Sequence, residues 1–321
     1  MRLSFALVFA ALGLMLVLAV IYWLVTQPLV GVRRTAPPAA DMAKLEAHVR
    51  ALSERFHPRS FDRPDHLQQA ASYIESEFRK AHGRVVDQFF EVHGVQYRNV
   101  IARYGPEQGA LLVIGAHYDA VADTPGADDN ASGVAGLLEL ARLLGENAPS
   151  ISVELVAYCL EEPPYFRTES MGSARHAREL RKSGREVRLM LGLEMIGYFS
   201  TAPDSQTYPL RQLSAIYPNR GDFIAVVGRV EDWAATRRVK SVMRGATDLP
   251  VQSINGPPAI PGIDFSDHSN YWDEGFSALM ITDTAFYRNP YYHAAGDTAD
   301  RLDYVSMAKV VQGIYAVAQS E

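Results

Sequence analysis

Cysteine is nearly missing from this chain of 321 residues: Cys159 is the single one, so no internal disulfide can form, and the compartment is left open. Set in the apolar run SVELVAYCL, it reads as a buried strand residue and not as a nucleophile. Positive charge is also in deficit. With 31 Lys and Arg against 37 Asp and Glu the formal net charge is −6, spread without long like-charge runs, which leaves no basic patch for nucleic acid. Internal repeats are absent, and so is low complexity outside the amino-terminal segment.

What the chain does have is an ordinary globular composition, 48% hydrophobic and 21% charged, enough for one large α/β domain or two small ones. The amino terminus departs from it. From Leu3 to Val25 there is no charge and only Ser4 is strongly polar; as a helix the run spans about 34 Å at 1.5 Å per residue, enough to cross a bilayer. Tyr22 and Trp23 sit where interfacial aromatics belong. The run exceeds the usual apolar stretch of a cleaved signal peptide and no small-x-small site precedes TQPLVG, so residues 1–27 read as an uncleaved transmembrane anchor. Arg2 points to a cytoplasmic amino terminus, Arg33 and Arg34 to the reverse. A tail this short is most simply left inside, which puts the body of a single-pass protein outside the cytoplasm. Residues 28–40, rich in Pro and Ala, read as a short spacer, and 41–321 as the folded domain.

That domain is organised around Leu111 to Leu144. Leu111–Ile114 reads as a strand buried on both faces, and Val134, Leu137, Leu138, Ala141 and Leu144 recur at helical spacing, with Asn130 or Ser132 placed to cap. Between them lie His117, Asp119, Asp123, Asp128 and Asp129, in the kind of strand-end loop where α/β proteins bind ligands. Before this stretch come two amphipathic helices, one capped by Asp41 and one opened by Pro64, then strands near Val85–Val92 and Asn99–Tyr104. After it, a strand Ile151–Leu160 runs into Glu161 and Glu162, and Leu189–Ile196 contains Glu194 in the apolar setting LGLEMIGY. A strand at Ala278–Thr282 precedes the loop that carries His293, and a helix from about Arg301 closes a layered α/β domain.

A carboxylate in an apolar run costs several kcal/mol unless paired or bound to a cation. Three strand-end acids, with Asp129 and two imidazoles, therefore point to metal, and nitrogen and oxygen donors without thiolate suit zinc, with Mn2+ or Co2+ as alternatives. His117, Asp129, Glu162, Glu194 and His293 exceed what one tetrahedral zinc needs; one bridging carboxylate between two metals fits the count. Glu161 is left beside them as a general base. Asp119, two residues after His117, is placed to accept its other ring N–H.

HYD at 117–119, PGADDNASG at 125–133, EE at 161–162, LEMIGY at 193–198, SDH at 266–268 and YHAAGDT at 292–298 together resemble, in order and spacing, the co-catalytic di-zinc aminopeptidase family, whose relatives include glutamate carboxypeptidase and glutaminyl cyclase. The resemblance covers about Met42 to the end. It implies a three-layer α/β/α sandwich around a mixed, mostly parallel sheet, preceded here by the membrane helix, and makes 41–321 a di-zinc peptidase domain. It further implies His117, Glu162, Glu194 and His293 as zinc ligands, Asp129 and not Asp128 as the bridge, Glu161 as the base and Asp119 as the partner that orients His117. The expected activity is removal of amino-terminal residues from peptides with a free amino terminus, at a membrane.

The segment PPYFRTESMGS after the Glu pair departs from the simpler family pattern, and Glu194 stands where many members have Asp. Tyr198–Arg220 and Gly245–Pro261 read as insertions over the site. Two other readings stand beside the peptidase: a glutaminyl cyclase with one zinc and a non-catalytic receptor of the same fold, both opposed by the presence of all five ligand positions. A carboxypeptidase for acidic termini would need an arginine pocket, for which Arg167 and Arg288 are weak candidates. Arg220-Gly221-Asp222 reads as the start of a strand, the Asn130 sequon as incidental, Asp123 and Asp128 as loop polar groups, and His176 as a surface residue. His268 reads as a residue behind the ligands or facing substrate, not as a ligand. His48, His57, His66, His82 and His93 lack acidic neighbours at ligand spacing.

Overall fold

The structure is a computed structural model that describes residues 2–32 and 34–320, with side chains from Phe9 onward. Arg33, one of the orientation signals above, lies outside the described residues. The apolar run forms α1 (Arg2–Thr26), whose Phe9–Thr26 portion is long and apolar enough to cross a membrane and is almost wholly exposed. Asp41 caps α2 (Met42–Arg50), its Oδ1 accepting the Ala43 and Lys44 amides at 3.0 and 3.2 Å. Pro64 opens α3 (Pro64–Lys80), a position whose N–H would go unbonded anyway. A turn at Gly94, with φ of +81°, joins β1 (Arg84–Val92) to β2 (Val95–Tyr104).

The remaining elements are β3 (Leu111–His117), α4 (Gly133–Glu146), β4 (Ser152–Tyr158), α5 (Gly172–Lys182), β5 (Val187–Glu194), β6 (Ile224–Gly228), α6 (Trp233–Ala246), β7 (Val251–Asn255), α7 (His268–Asp273), β8 (Ala278–Thr282) and α8 (Tyr304–Ser320). The strands form one mixed sheet in the order β1-β2-β4-β3-β5-β8-β6-β7. β4, β3, β5 and β8 run parallel through its centre, as do β6 and β7 at one edge; β1, β2 and the β6–β8 pair supply the antiparallel joins. Helices α2, α3, α4, α6 and α8 pack on one face with Leu112, Ile114, Leu191 and Val226. Helices α5 and α7 pack on the other with Val113, Val156, Met190 and Ala225. Every residue of β3 is therefore buried, which is why its apolar run does not alternate. The three-layer α/β/α sandwich brings the carboxyl ends of β3, β4, β5 and β8 to one edge, where their loops gather.

Three local expectations differ. Gly245–Pro261 is not wholly an insertion, because it contains β7, which pairs in register with β6 from Ile224↔Val251 to Gly228↔Asn255. Residues 28–40 do not stand off as a free spacer. Along them the Leu29 carbonyl accepts from Arg237, the Thr35 amide donates to Gly245 O at 3.0 Å, and the Pro38 carbonyl accepts from Gln312. His176 is buried, at 3% exposure. Its Nδ1 meets the Tyr271 hydroxyl at 2.6 Å and its Nε2 lies 3.3 Å from Glu154; a polar-looking helix turns it toward the sheet.

Candidate metal centre

Each candidate ligand sits where a strand stops or a loop is pinned. His117 ends β3, Glu194 ends β5, and Glu161 and Glu162 follow β4. Asp129 lies in an irregular turn before α4, and His293 in the loop after β8. Backbone at Leu160, Met195 and His293 takes left-handed φ of +64°, +50° and +55°. Such conformations in non-glycine residues cost free energy and cluster at functional sites. Gly126 opens the turn with φ of +57°, and a Cβ there would lie 2.3 Å from the Asp129 carbonyl, so glycine is required.

The side chains converge on Asp129. Its Oδ1 is 3.5 Å from His117 Nε2, which also faces Glu194 Oε2 at 3.4 Å. Its Oδ2 is 3.2 Å from His293 Nε2, which faces Glu162 Oε2 at 3.4 Å. Two triplets result, His117–Asp129–Glu194 and Asp129–Glu162–His293, each with donor atoms within 4.8 Å of one another, and they share one carboxylate. Glu161 stands at the edge, its Oε2 3.8 Å from His117 Nε2; a third grouping joins it with His117 and Glu162.

Asp119 does more than face the imidazole. His117 Nδ1 lies 3.2 Å from the Asp119 backbone carbonyl and 3.6 Å from its carboxylate. The carboxylate oxygens accept the amides of Glu161 and Glu162 at 3.1 and 3.0 Å, tying the β3 loop to the Glu pair. Asp297 does the same for the other loop, accepting the amides of Asp128 and Asp129 at 2.9 and 3.1 Å. Arg59, only 1% exposed, donates to the carbonyls of Tyr118, Pro125 and Gly126 and sets a cation beneath the cluster. Burial lowers its pKa to about 10, against the pull of Asp297, Asp119 and Asp129, so it stays charged at neutral pH. Asn130 carries its turn to β5, donating to Leu193 O and accepting from Met195 N. Ser266 donates to Glu194 Oε2 at 2.7 Å.

The electrostatics describe a site short of positive charge. Burial pulls the His117 imidazole down, but Glu161 and Glu194 more than reverse it and hold it well above its usual range. At His293 burial is likewise outweighed by Asp129 and Glu162, which push it up to about 10. Burial, with Asp129 beside it, pushes Glu162 up to about 8. Protons and a divalent cation compete for these same atoms. His117 Nε2 and Glu162 Oε1 are buried with no hydrogen-bond partner, as ligand atoms facing a cation are. Donor chemistry, orphaned atoms and excess negative charge all fit zinc.

Several participants carry no individual role in the sequence reading, although Asp267, Tyr292 and Asp297 fall within the quoted motifs. Arg59 and Asp297 look like surface charges until their distant partners are known. Asp267 is buried beside Glu194 with both carboxylate oxygens unpartnered. Tyr292 stacks on His293, ring centroids 3.7 Å apart. Asp128 is no loop polar group: it is fully buried and accepts from Gly197 N and Asn289 Nδ2. His268 is fully buried; its Nε2 bonds the Ile263 carbonyl at 2.8 Å and its ring packs on Trp272.

Beside Glu194 and Tyr292 opens a cleft walled by Tyr217, Phe223, Val227 and Met280. No Arg or Lys lines it among the described residues. Arg288 is instead buried, donating to Gln206 and to the Tyr198 carbonyl, and Arg167 pairs with Asp264.

Residues 99–318 match peptidase family M28. The chain belongs to that family. The likeness carried by the six motifs is thereby borne out at the level of the family. The chain is 53% identical over 296 residues to the uncharacterized protein YfbL of Escherichia coli K12, covering 90% of this chain and 91% of YfbL. Leucine aminopeptidase 1 of Uncinocarpus reesii is 26% identical over 273 residues, 79% of this chain and 63% of the fungal protein, so less than two thirds of the latter's length is spanned. The glutaminyl cyclase of Bacteroides thetaiotaomicron superposes with a TM-score of 0.68 at 18% identity, over 89% of this chain and 99% of that one, a likeness of fold alone.

Proposed function

We propose that this M28 protein is a membrane-anchored aminopeptidase that binds two zinc ions and removes a bulky apolar residue from the free amino terminus of peptides. The observation that carries the reading is the shared carboxylate: the two oxygens of Asp129 face different imidazoles, at 3.5 and 3.2 Å. His117, Asp129 and Glu194 hold one ion, and Asp129, Glu162 and His293 the other, with Mn2+ or Co2+ able to substitute. Bound there, the ions supply Lewis acidity, polarising the scissile carbonyl and acidifying water. Glu161 takes the proton of the attacking water on its carboxylate and returns it to the departing amine. Burial raises the pKa of Glu161, which suits a group that must both receive and give a proton. Asp119 is a positioning residue, fixing the two amides from which Glu161 and Glu162 project.

The apolar cleft beside Glu194 accepts the first side chain of the substrate. Its lack of cationic lining argues against an acidic terminal residue, and hence against a carboxypeptidase of the glutamate-releasing kind. Residues 1–27 serve as the anchor, 28–40 as the connection and 41–321 as the catalytic domain, held outside the cytoplasm. The test is mass spectrometry of three peptides incubated with the zinc-loaded protein: one beginning with Leu, its acetylated twin, and one beginning with Gln. Loss of Leu from the free peptide alone, abolished by chelation, is expected. Release of ammonia from the Gln peptide without cleavage moves the protein to the cyclases, and three untouched peptides mark a non-catalytic member of the fold.

A further inference from the structure

The last turn of α1 does not simply leave the domain. Exposure falls along it until Thr26 and Gln27 are 4% and 0% exposed, and Trp23 packs on Trp233 of α6 with ring centroids 5.3 Å apart. Arg237 lies over the same Trp23 ring at 5.2 Å. The helix end is met by Lys240, itself only 3% exposed. Its Nζ donates to Thr26 O at 2.8 Å, to Gln27 O at 3.1 Å and to Ser253 Oγ at 3.0 Å. Among the described residues no carboxylate pairs with Lys240. A buried ammonium without a counter-charge is costly unless its donors are met, and two of its three acceptors belong to the carboxyl end of α1, where the helix dipole is negative. Lys240 is therefore a residue of the folded domain whose burial makes sense only with α1 docked.

The chain beyond continues the contact. Arg237, Ser241 and Gly245 recur every four residues on one side of α6 and bond in turn to Leu29 O, Gly31 O and the Thr35 amide. The other partner of Lys240 reaches the substrate site. Ser253 on β7 bonds Thr26 O and Gln27 Oε1 at 2.9 and 2.7 Å, while its carbonyl accepts from the Tyr217 hydroxyl at 2.6 Å. Ser253 and Tyr217 both line the apolar cleft.

We infer that the membrane helix and the strap behind it form a rigid joint with α6 and β7, so that the anchor backs the wall of the apolar cleft and is part of the substrate site. The inference rests on the aminopeptidase reading above and on α1 as the anchor. Lys240 and Ser253 act as positioning residues, touching no reacting atom. In the intact protein the catalytic domain does not swing on a tether; α6 and the β7 edge are held next to the bilayer.

The test uses the full chain in lipid nanodiscs. Hydrogen exchange of the Thr35 amide, which donates to Gly245 O, is expected at least tenfold slower than in an unstructured peptide, and Lys240→Met removes that protection. Steady-state kinetics on peptides beginning with Leu or Ala are expected to give Lys240→Met a several-fold higher KM for Leu, with KM for Ala and both kcat values unchanged. Ser241→Ala, a smaller lesion that loses only the strap contact at Gly31, gives the same split in weaker form and guards against a misfolded Lys240 variant. Unprotected exchange in the wild type overturns the joint. Protection with an unchanged KM, or an equal loss of kcat on both peptides, overturns its link to the cleft. If the wild type cleaves neither peptide, the aminopeptidase reading fails, and the exchange measurement still decides the joint.

Discussion

On one side of the site stand Asp129, Glu161, Glu162, Glu194 and His117, all buried, with His293 more exposed at the rim and facing Asp129 and Glu162. On the other, Tyr217, Phe223, Val227 and Met280 enclose a cleft with almost no charge. The polar wall is built from loops at the carboxyl ends of four neighbouring strands, so its side chains meet because the sheet aligns those ends. The apolar wall is assembled from β6, β7, β8 and the irregular stretch before β6, and part of it leans on the end of α1. Chemistry is assigned to the wall whose groups sit at aligned strand ends, and selection to the wall whose shape depends on distant segments. Changes to the first should therefore lower turnover, and changes to the second should alter which peptide is accepted.

The largest effect is expected from Asp129→Ala, which removes the carboxylate common to both triplets. Activity should fall below detection together with bound zinc, both read on the same preparation; full activity would erase the distinction between the walls. Glu161→Gln comes next. It should keep metal while kcat drops by about 10²–10⁴-fold, the usual worth of a positioned base, and unchanged turnover would remove Glu161 from that role. On the apolar wall, Val227→Phe fills the cleft. It should cut kcat/KM for Leu relative to Ala peptides by about 10–100-fold, the scale of discrimination in hydrophobic pockets, and leave Ala turnover near wild type. An equal loss on both peptides would mean that the two walls do not divide the work.

The smallest effect concerns His268, behind the polar wall. Burial holds its imidazole neutral and lowers its pKa to about 4, while the unfolded chain binds a proton near 6.5. A depressed folded value contributes stability above the unfolded one and loses it as pH falls toward the folded one. Between pH 6.5 and 5.5 the loss is about 1 kcal/mol. In denaturant titrations His268→Gln should flatten that part of the acid limb, whatever it does to stability at pH 8; an unchanged slope would mean that other groups set it.

The two walls also differ in how far they can be read from sequence. His117, Glu161, Glu162 and Glu194 each follow a short run of buried strand, and an ionisable group in that setting is conspicuous because its burial is costly. Their partners are less visible. Arg59 lies in a proline-rich, irregular stretch and Asp297 in a loop, and nothing local says that their charges face inward. β7 was hidden for another reason: PVQSIN is short, only two of its residues are β-branched aliphatics, and prolines flank it, so it reads as a loop until β6 supplies its ladder. The spacer behaves alike, since Pro- and Ala-rich chain looks free until Arg237, Ser241 and Gly245 are seen side by side on α6.

The central claim, that one carboxylate serves two metals, is tested most directly by titrating metal-free protein with zinc while following release of Leu from a peptide. The account predicts tight uptake of two zinc ions per chain, full activity with both in place, and loss of both sites in Asp129→Ala. Full activity at one zinc per chain, or a variant that still takes up two, would contradict it.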